Sequence, residues 1–372
     1  MRTLILLLTS ISFHIVAQTS IDQFAKRLES SLDQLDTSYL SSHIAYDQLF
    51  NDILLQHHIL NNFNEAFKVN IKGKYALPNQ IVQQINLGAS YQFINSYTKE
   101  ESLHLIFRLV THNGGLNYHD YAIYQKNGKW IINDIYVYMS SENYKETIKR
   151  SYLSSLATMQ FDSIFWQNFE IDDDYIADLK RLSNAQFNLH TQRLEQALLC
   201  MDSINSSLKN EKVYHLNQIL LQRRLNQKNY NEAINAYQLA YPKEASLQLI
   251  LIEANLIQGN MEKALKAVNQ LDKILGVDPY LNYHRANVYL RTGDYQASID
   301  AGRNFHQAFP DNISWYPIRI QQLTLVKNIA ECIQLLEEME SKFGLRKYQL
   351  DKMMNKNQYL KNSNEYKAWL NS

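Results

Sequence analysis

The apolar positions of this chain change their period twice. Near the start, Ile21, Phe24, Leu28, Leu32 and Leu35 recur at helical spacing, which predicts a helix over Ser20–Asp36 with Ser20 as its N-cap. The same spacing returns through Tyr39–Asn62 and around Asn79–Asn86. Alternation then replaces it. Tyr91–Tyr97 and Leu103–Thr111 read as strands, with Leu103, Leu105, Phe107 and Leu109 on one face. Asn113-Gly114-Gly115 is a turn signal, Leu116–Gln125 the next strand, Asn127-Gly128 a two-residue hairpin turn, and Lys129–Met139 a long last strand. On this alternation Tyr118, Asp120, Ala122 and Tyr124 share one face, and Trp130, Ile132, Asp134, Tyr136 and Tyr138 share one face of the strand after. Beyond Ser140 the pattern is helical to the end. Glu142–Leu156 is a connecting helix, and Asp172-Asp173-Asp174 marks a break between domains.

A second, longer period lies in the C-terminal half. Pro279–Asn312 holds Ala286, Tyr289, Gly293-Asp294-Tyr295, Ser298-Ile299 and Pro310. The units around it keep Gly259-Asn260-Met261 with Ala264-Leu265, Asn229-Tyr230 with Ala233-Ile234, and Lys327-Asn328-Ile329 with Cys332-Ile333. Gly259 to Gly293 is 34 residues, and Gly293 to Lys327 another 34. A mid-unit turn at this period is the mark of stacked helix–turn–helix units. A small residue (Ala233, Ala264, Ser298, Cys332) lets the second helix approach the first, and Gly or Asn suits the turn. Glu195-Gln196-Ala197-Leu198 reads as the second helix of an earlier, degenerate unit. In these features roughly residues 187–343 resemble the tetratricopeptide repeat family. Asn282 and Arg285 depart from it, standing where the family has an aromatic residue and a leucine. The resemblance implies peptide or protein binding on a concave face lined by the first helix of each pair. Carried over position by position, that face holds Tyr280, Tyr283, His284, Asn287 and Arg291, with Glu253 and Gln321 in the neighbouring units.

The N-terminal helices followed by a meander resemble, over roughly residues 20–150, the NTF2-like or cystatin-like α+β folds. That resemblance implies a cone with a pocket, here lined by Tyr118, Asp120, Trp130, Asp134 and Tyr136. Asp134 among aromatic rings would suit proton transfer if its pKa were raised; as a plain strand carboxylate it would bond a neighbouring amide or Arg108. His112, His119 and Asp120 crowd one hairpin, but His119 and Asp120 point to opposite faces, so no metal site is expected. The sequence holds no P-loop, no GxGxxG, no GxSxG and no HExxH, and no cofactor is expected.

Composition trims the remaining options. Hydrophobic residues make up 45% of the 372 positions, enough for real cores, and 10 Gly with 5 Pro suit long helices. Lys plus Arg (37) equals Asp plus Glu (37), so no long-range field gathers nucleic acid, and none is expected as a partner. The two cysteines, Cys200 and Cys332, lie at apolar helical positions and read as buried free thiols. Arg2, the apolar run Leu4–Val16 and Ala17 read as a cleaved export signal; the run is too short for a bilayer, and the lack of a following Cys argues against a lipid anchor. The expectation is an exported chain: a signal peptide (1–18), an α+β domain (19–150), a helical connector (151–186), an all-α tetratricopeptide solenoid (187–343) and a capping segment (344–372). Its expected role is non-catalytic recognition of a protein or peptide in the periplasm or outside the cell. The alternative is a small-molecule-binding or enzymatic N-terminal domain with the repeats as adaptor.

Overall fold

The computed structural model describes residues 21–112, 114–159 and 161–372. The expected export signal and the Ser20 cap lie outside them, as does Asn113 of the expected turn. The chain divides into two compact units, the first ending at Leu247 and the second running Gln248–Ser372.

The first unit opens with α1 (residues 21–33), whose Ile21, Phe24, Leu28 and Leu32 are buried as their spacing requires. Leu35 does not continue that face. The helix has ended, and Leu35 turns to solvent with φ at 63°. Four helices follow: α2 (Ser38–His43), α3 (Tyr46–Ile53), α4 (Asn61–Lys72) and α5 (Leu77–Asn86). Pro78 fits the first turn of α5, where a missing N–H costs nothing. α4 carries its helix ten residues past the Asn62 limit of the sequence reading, burying Asn64, Phe67 and Ile71 on one side.

Five antiparallel strands in sequential order make the sheet among the described residues: β1 (Ser90–Lys99), β2 (Ser102–Val110), β3 (Leu116–Lys126), β4 (Lys129–Val137) and β5 (Glu142–Asn143). Asn127 and Gly128 take φ of 52° and 76°, the left-handed pair a tight hairpin needs. The β1–β2 turn has the same two-residue form, yet glutamates occupy it: Glu100 and Glu101 sit at φ of 48° and 67°. No Gly or Asn announces that turn.

Leu105, Phe107 and Leu109 of β2 and Tyr121 and Ile123 of β3 face the helices and join one core with α1–α5. This core continues through α6 (Tyr144–Leu156), α7 (Ser163–Gln167), α8 (Asp173–His190), α9 (Leu194–Asp202) and the start of α10 (Lys212–Leu225). The helices after the sheet therefore share its interior. Residue 187, where the repeats were expected to begin, lies near the end of α8. That helix starts at Asp173 on the Asp172 cap. The pair α8–α9 buries Ala197, and α10 pairs with α11 (Gln227–Ala240).

The second unit holds α12 (Leu247–Gln258, begun one residue earlier), α13 (Met261–Leu275), α14 (Leu281–Thr292), α15 (Tyr295–Ala308), α16 (Trp315–Leu325) and α17 (Ile329–Phe343). Their turns are alike. Gly259, Gly293 and Lys327 have φ of 75°, 83° and 61°. The next residue in each turn donates its N–H back: Asn260 to Asn255 O at 2.8 Å, Asp294 to Tyr289 O at 3.0 Å, Asn328 to Leu323 O at 2.9 Å. Ala264, Ser298 and Cys332, three of the four small residues of the pattern, are each 0% exposed, while Ala233 on α11 of the first unit is half-buried. Three short helices, α18 (Lys347–Met353), α19 (Gln358–Asn362) and α20 (Asn364–Asn371), then lay Leu350, Leu360, Tyr366 and Trp369 against the core of α16 and α17. Among the described residues no helix is long and apolar enough to cross a membrane.

Candidate functional site

The exposed face of the second unit follows from the repeat. Positions 253, 287 and 321 are 34 apart and fall on α12, α14 and α16, and so do positions 257, 291 and 325 one turn later. Glu253, Ile257, Arg291, Gln321 and Leu325 are exposed and Asn287 is half-buried. Two neighbouring columns therefore carry mixed chemistry: a carboxylate, two amides, a guanidinium and two aliphatic side chains. Arg291 also reaches across to α12, donating from Nη1 to the carbonyl of Leu256 at 3.2 Å. Asn287 is held by its own helix, its Nδ2 donating to Tyr283 O at 2.9 Å. Ile257 and Leu325 stand one and the same 34-residue step either side of Arg291, though the sequence reading did not name them.

Three other residues expected on this face are less open. Tyr280 is 2% exposed, and its ring packs edge-on against Phe305 and Phe309. It is a core residue, because it lies in the loop entering α14 rather than on the helix's open side. Tyr283 is half-buried against Phe305, and burial raises its hydroxyl pKa. The Nε2 of His284 is sealed from solvent without a hydrogen-bond partner, and burial pulls its pKa down to about 4, so the ring is neutral at pH 7. Asn282 and Arg285 are joined to each other and to α13: Arg285 donates to Asn282 Oδ1 at 3.0 Å and to Asp272 Oδ2 of α13 at 2.5 Å, an ion pair between the two helices.

In the first unit a β-bulge reorders the side chains expected to line a pocket. Between Ala122 and Ile123 the register slips, so Asp134 pairs with Ala122 while Ile132 pairs with Ile123, leaving Asn133 as the extra residue. The single face expected for β4 is thereby split. Ile132 and Trp130 stay with the helix-covered core, Trp130 stacking on Phe24 at 6.2 Å. Asp134 and Tyr136 follow Ala122 and Asp120. Asp134 accepts the N–H of Ile135 at 2.8 Å and of Lys145 at 3.2 Å, and the second bond caps the start of α6. Burial raises its pKa, and it is Oδ1 that takes both backbone N–H groups. Tyr136 donates to Glu244, which also pairs with Lys212. Tyr118 is 0% exposed, its ring edge-on to Tyr138.

Two polar clusters flank the sheet. On one face Asp120 accepts from Tyr97 Oη at 2.5 Å and from His104 Nδ1 at 2.8 Å. Three strands supply these groups, and only their register brings them together, so the sequence gives no local signal for Tyr97 and His104. On the helix face Asn117 Oδ1 accepts the N–H of Tyr118 and of Met139, at 2.8 and 2.9 Å. Its Nδ2 therefore points to His119 Nε2, at 3.1 Å, and donates. This fixes the proton of His119 on Nδ1, beside Tyr91 Oη at 3.0 Å, and Tyr91 in turn meets Tyr121 Oη at 2.6 Å. Burial pulls His119 down to about 4, consistent with the neutral ring this chain requires. His119 and Asp120 thus diverge to opposite faces. Cys200 and Cys332 are free thiols.

Against known proteins, no family model, no curated protein and no solved structure matches this chain.

Proposed function

We propose that the chain is an exported, non-catalytic binding protein whose second unit is a tetratricopeptide-type solenoid. It recognises a protein or an extended peptide along the α12, α14 and α16 face. The observation that carries this reading is the identical turn bond at Asn260, Asp294 and Asn328, spaced 34 residues apart. A unit repeated with this fidelity brings equivalent side chains of successive first helices to the same side. Glu253, Asn287, Arg291 and Gln321, with Ile257 and Leu325, then form a graded surface suited to main-chain amides and mixed side chains rather than to one small molecule. Tyr283 contributes its partly open ring at the edge.

Export rests on the sequence of the first eighteen residues. The alternative of a catalytic or ligand-binding first unit asks Tyr118, Asp120, Trp130, Asp134 and Tyr136 to converge, and the bulge at Asn133 puts Trp130 on the opposite face from the other four. The test is affinity capture from cell-envelope extract with the mature chain, repeated with Glu253→Ala, Arg291→Ala and Gln321→Ala, all at exposed positions. Loss of a captured species in the variants supports the reading; an unchanged set removes it.

A further inference from the structure

The helices α12 to α17 carry four arginines, and three of them are matched with carboxylates. Arg285 pairs with Asp272 at 2.5 Å, Arg303 with Asp300 at 3.4 Å and Arg319 with Glu331 at 2.9 Å. The fourth, Arg291, is exposed on α14, and among the described residues no carboxylate pairs with it. The bond its side chain makes is to a neutral group: Nη1 donates to the carbonyl of Leu256 on α12 at 3.2 Å.

That bond has two effects. It holds the guanidinium in place at the open face, so part of the side-chain freedom lost on pairing is already gone. It also uses Nη1 alone, which leaves Nη2 and Nε to offer a planar carboxylate. The acid of the same face does not offset this charge, because Glu253 already has an interaction partner within the chain. The other side chains of the two columns, Asn287, Gln321, Ile257 and Leu325, are uncharged. The face therefore presents an unmatched cation, and its neighbours in the column are apolar: Ile257 and Leu325, one repeat to either side, are 51% and 45% exposed.

We infer, resting on the recognition face proposed above, that Arg291 receives an aspartate or glutamate side chain from the middle of an extended partner segment, with an aliphatic residue of that segment on either side of the acid. The acid is internal and not a chain terminus, because the segment must continue past Arg291 in both directions to cover Ile257 and Leu325. Helix α14 meets α12 through the Arg291 bond and packs on α16. Packed helices lie about 8–10 Å apart. A polyproline-type chain advances about 9 Å in three residues and brings every third side chain to the same side. The pattern that fits is an aliphatic residue, two spacers, the acid, two spacers and a second aliphatic residue.

The test is fluorescence anisotropy of the full chain with dye-labelled, end-blocked Leu-Pro-Ala-Glu-Pro-Ala-Leu. Its companions carry Gln or Lys in place of Glu, and a further Gln peptide has a free C-terminal carboxylate. The Glu peptide should bind about three- to fivefold more tightly than the Gln peptide, and the gap should close as salt screens the pair. In Arg291→Glu, a change at an exposed position, the order should reverse, with the Lys peptide tightest. The wild-type order persisting in Arg291→Glu would overturn the inference, and so would a Gln peptide restored by its free terminus. Equal binding of all the peptides, weakened together in Gln321→Ala, would leave the recognition face standing and remove the acid preference. Binding of none would remove both.

Discussion

The Ser298 hydroxyl donates to the carbonyl of Ala286 at 2.8 Å, and 34 residues on, the Cys332 thiol meets the carbonyl of Ile320 at 3.6 Å. In both pairs a small buried side chain of the second helix reaches the backbone of the first. The close approach and the polar tie come from one residue. Ser298 adds a second tie by accepting from Gln322 Nε2 of the next pair, at 2.9 Å. Ser298→Ala keeps the close approach and removes both bonds. It should cost about 1–2 kcal/mol of stability in the second unit, read as a lower denaturant midpoint for that unit. Ser298→Leu should abolish its cooperative unfolding, since a buried position with no exposure leaves no room for the added carbons.

Lys327 occupies the left-handed turn position that Gly259 and Gly293 fill in the other pairs, at φ of 61°. A side chain there carries strain that glycine does not. Lys327→Gly should raise stability by about 0.5–1 kcal/mol, the strain relieved less the added chain entropy. Gly293→Ala should lower it by a similar amount. Thermal melts of the two variants, moving in opposite directions, check the point.

The glutamate turn makes a parallel case in the sheet. Replacing Glu100-Glu101 by Asn-Gly supplies residues that prefer the left-handed conformation both positions already hold. The pair of changes should stabilise the first unit by about 1–2 kcal/mol, measured by chemical denaturation. A loss would mean that the glutamates make a contribution their backbone geometry does not reveal.

These turns show where the sequence was legible. Asn127-Gly128 announced its hairpin because its residues favour that backbone intrinsically; Glu100-Glu101 did not, because the register of β1 on β2 imposes the turn. Helix α1 was readable from its buried spacing, but its end was not, and Leu35 was misplaced by one turn. The 34-residue beat was plain because a turn glycine and a small packing residue recur locally. At the candidate face the resemblance selected Arg291 and Gln321, which are exposed, and Tyr280, which is buried. Strand alternation failed at Asn133, since a bulge is a property of the pairing and not of one strand. The Asp120–His104–Tyr97 cluster was illegible for the same reason.

Acid should weaken the fold through its buried histidines. His119 has its pKa pulled from 6.5 to about 4 by burial. The unfolded chain then binds a proton that the folded chain refuses, so stability falls as pH drops from about 6.5 towards 4 and levels off below that. The shift corresponds to about 3 kcal/mol across the window. His284 acts in the same direction in the second unit. In His119→Asn the dependence of the first unit's denaturation midpoint on pH over this range should flatten, whatever the variant's stability at pH 7. An unchanged slope would assign the acid sensitivity to other groups.

Photocrosslinking tests the recognition face most directly. A benzophenone amino acid is placed at position 287 or 321 on the proposed face, or at exposed position 303 on α15 as a control, and the chain is irradiated in cell-envelope extract. The account predicts discrete adducts with the same partner from 287 and 321 and none from 303. Equal adducts from all three positions, or adducts from 303 alone, would contradict it.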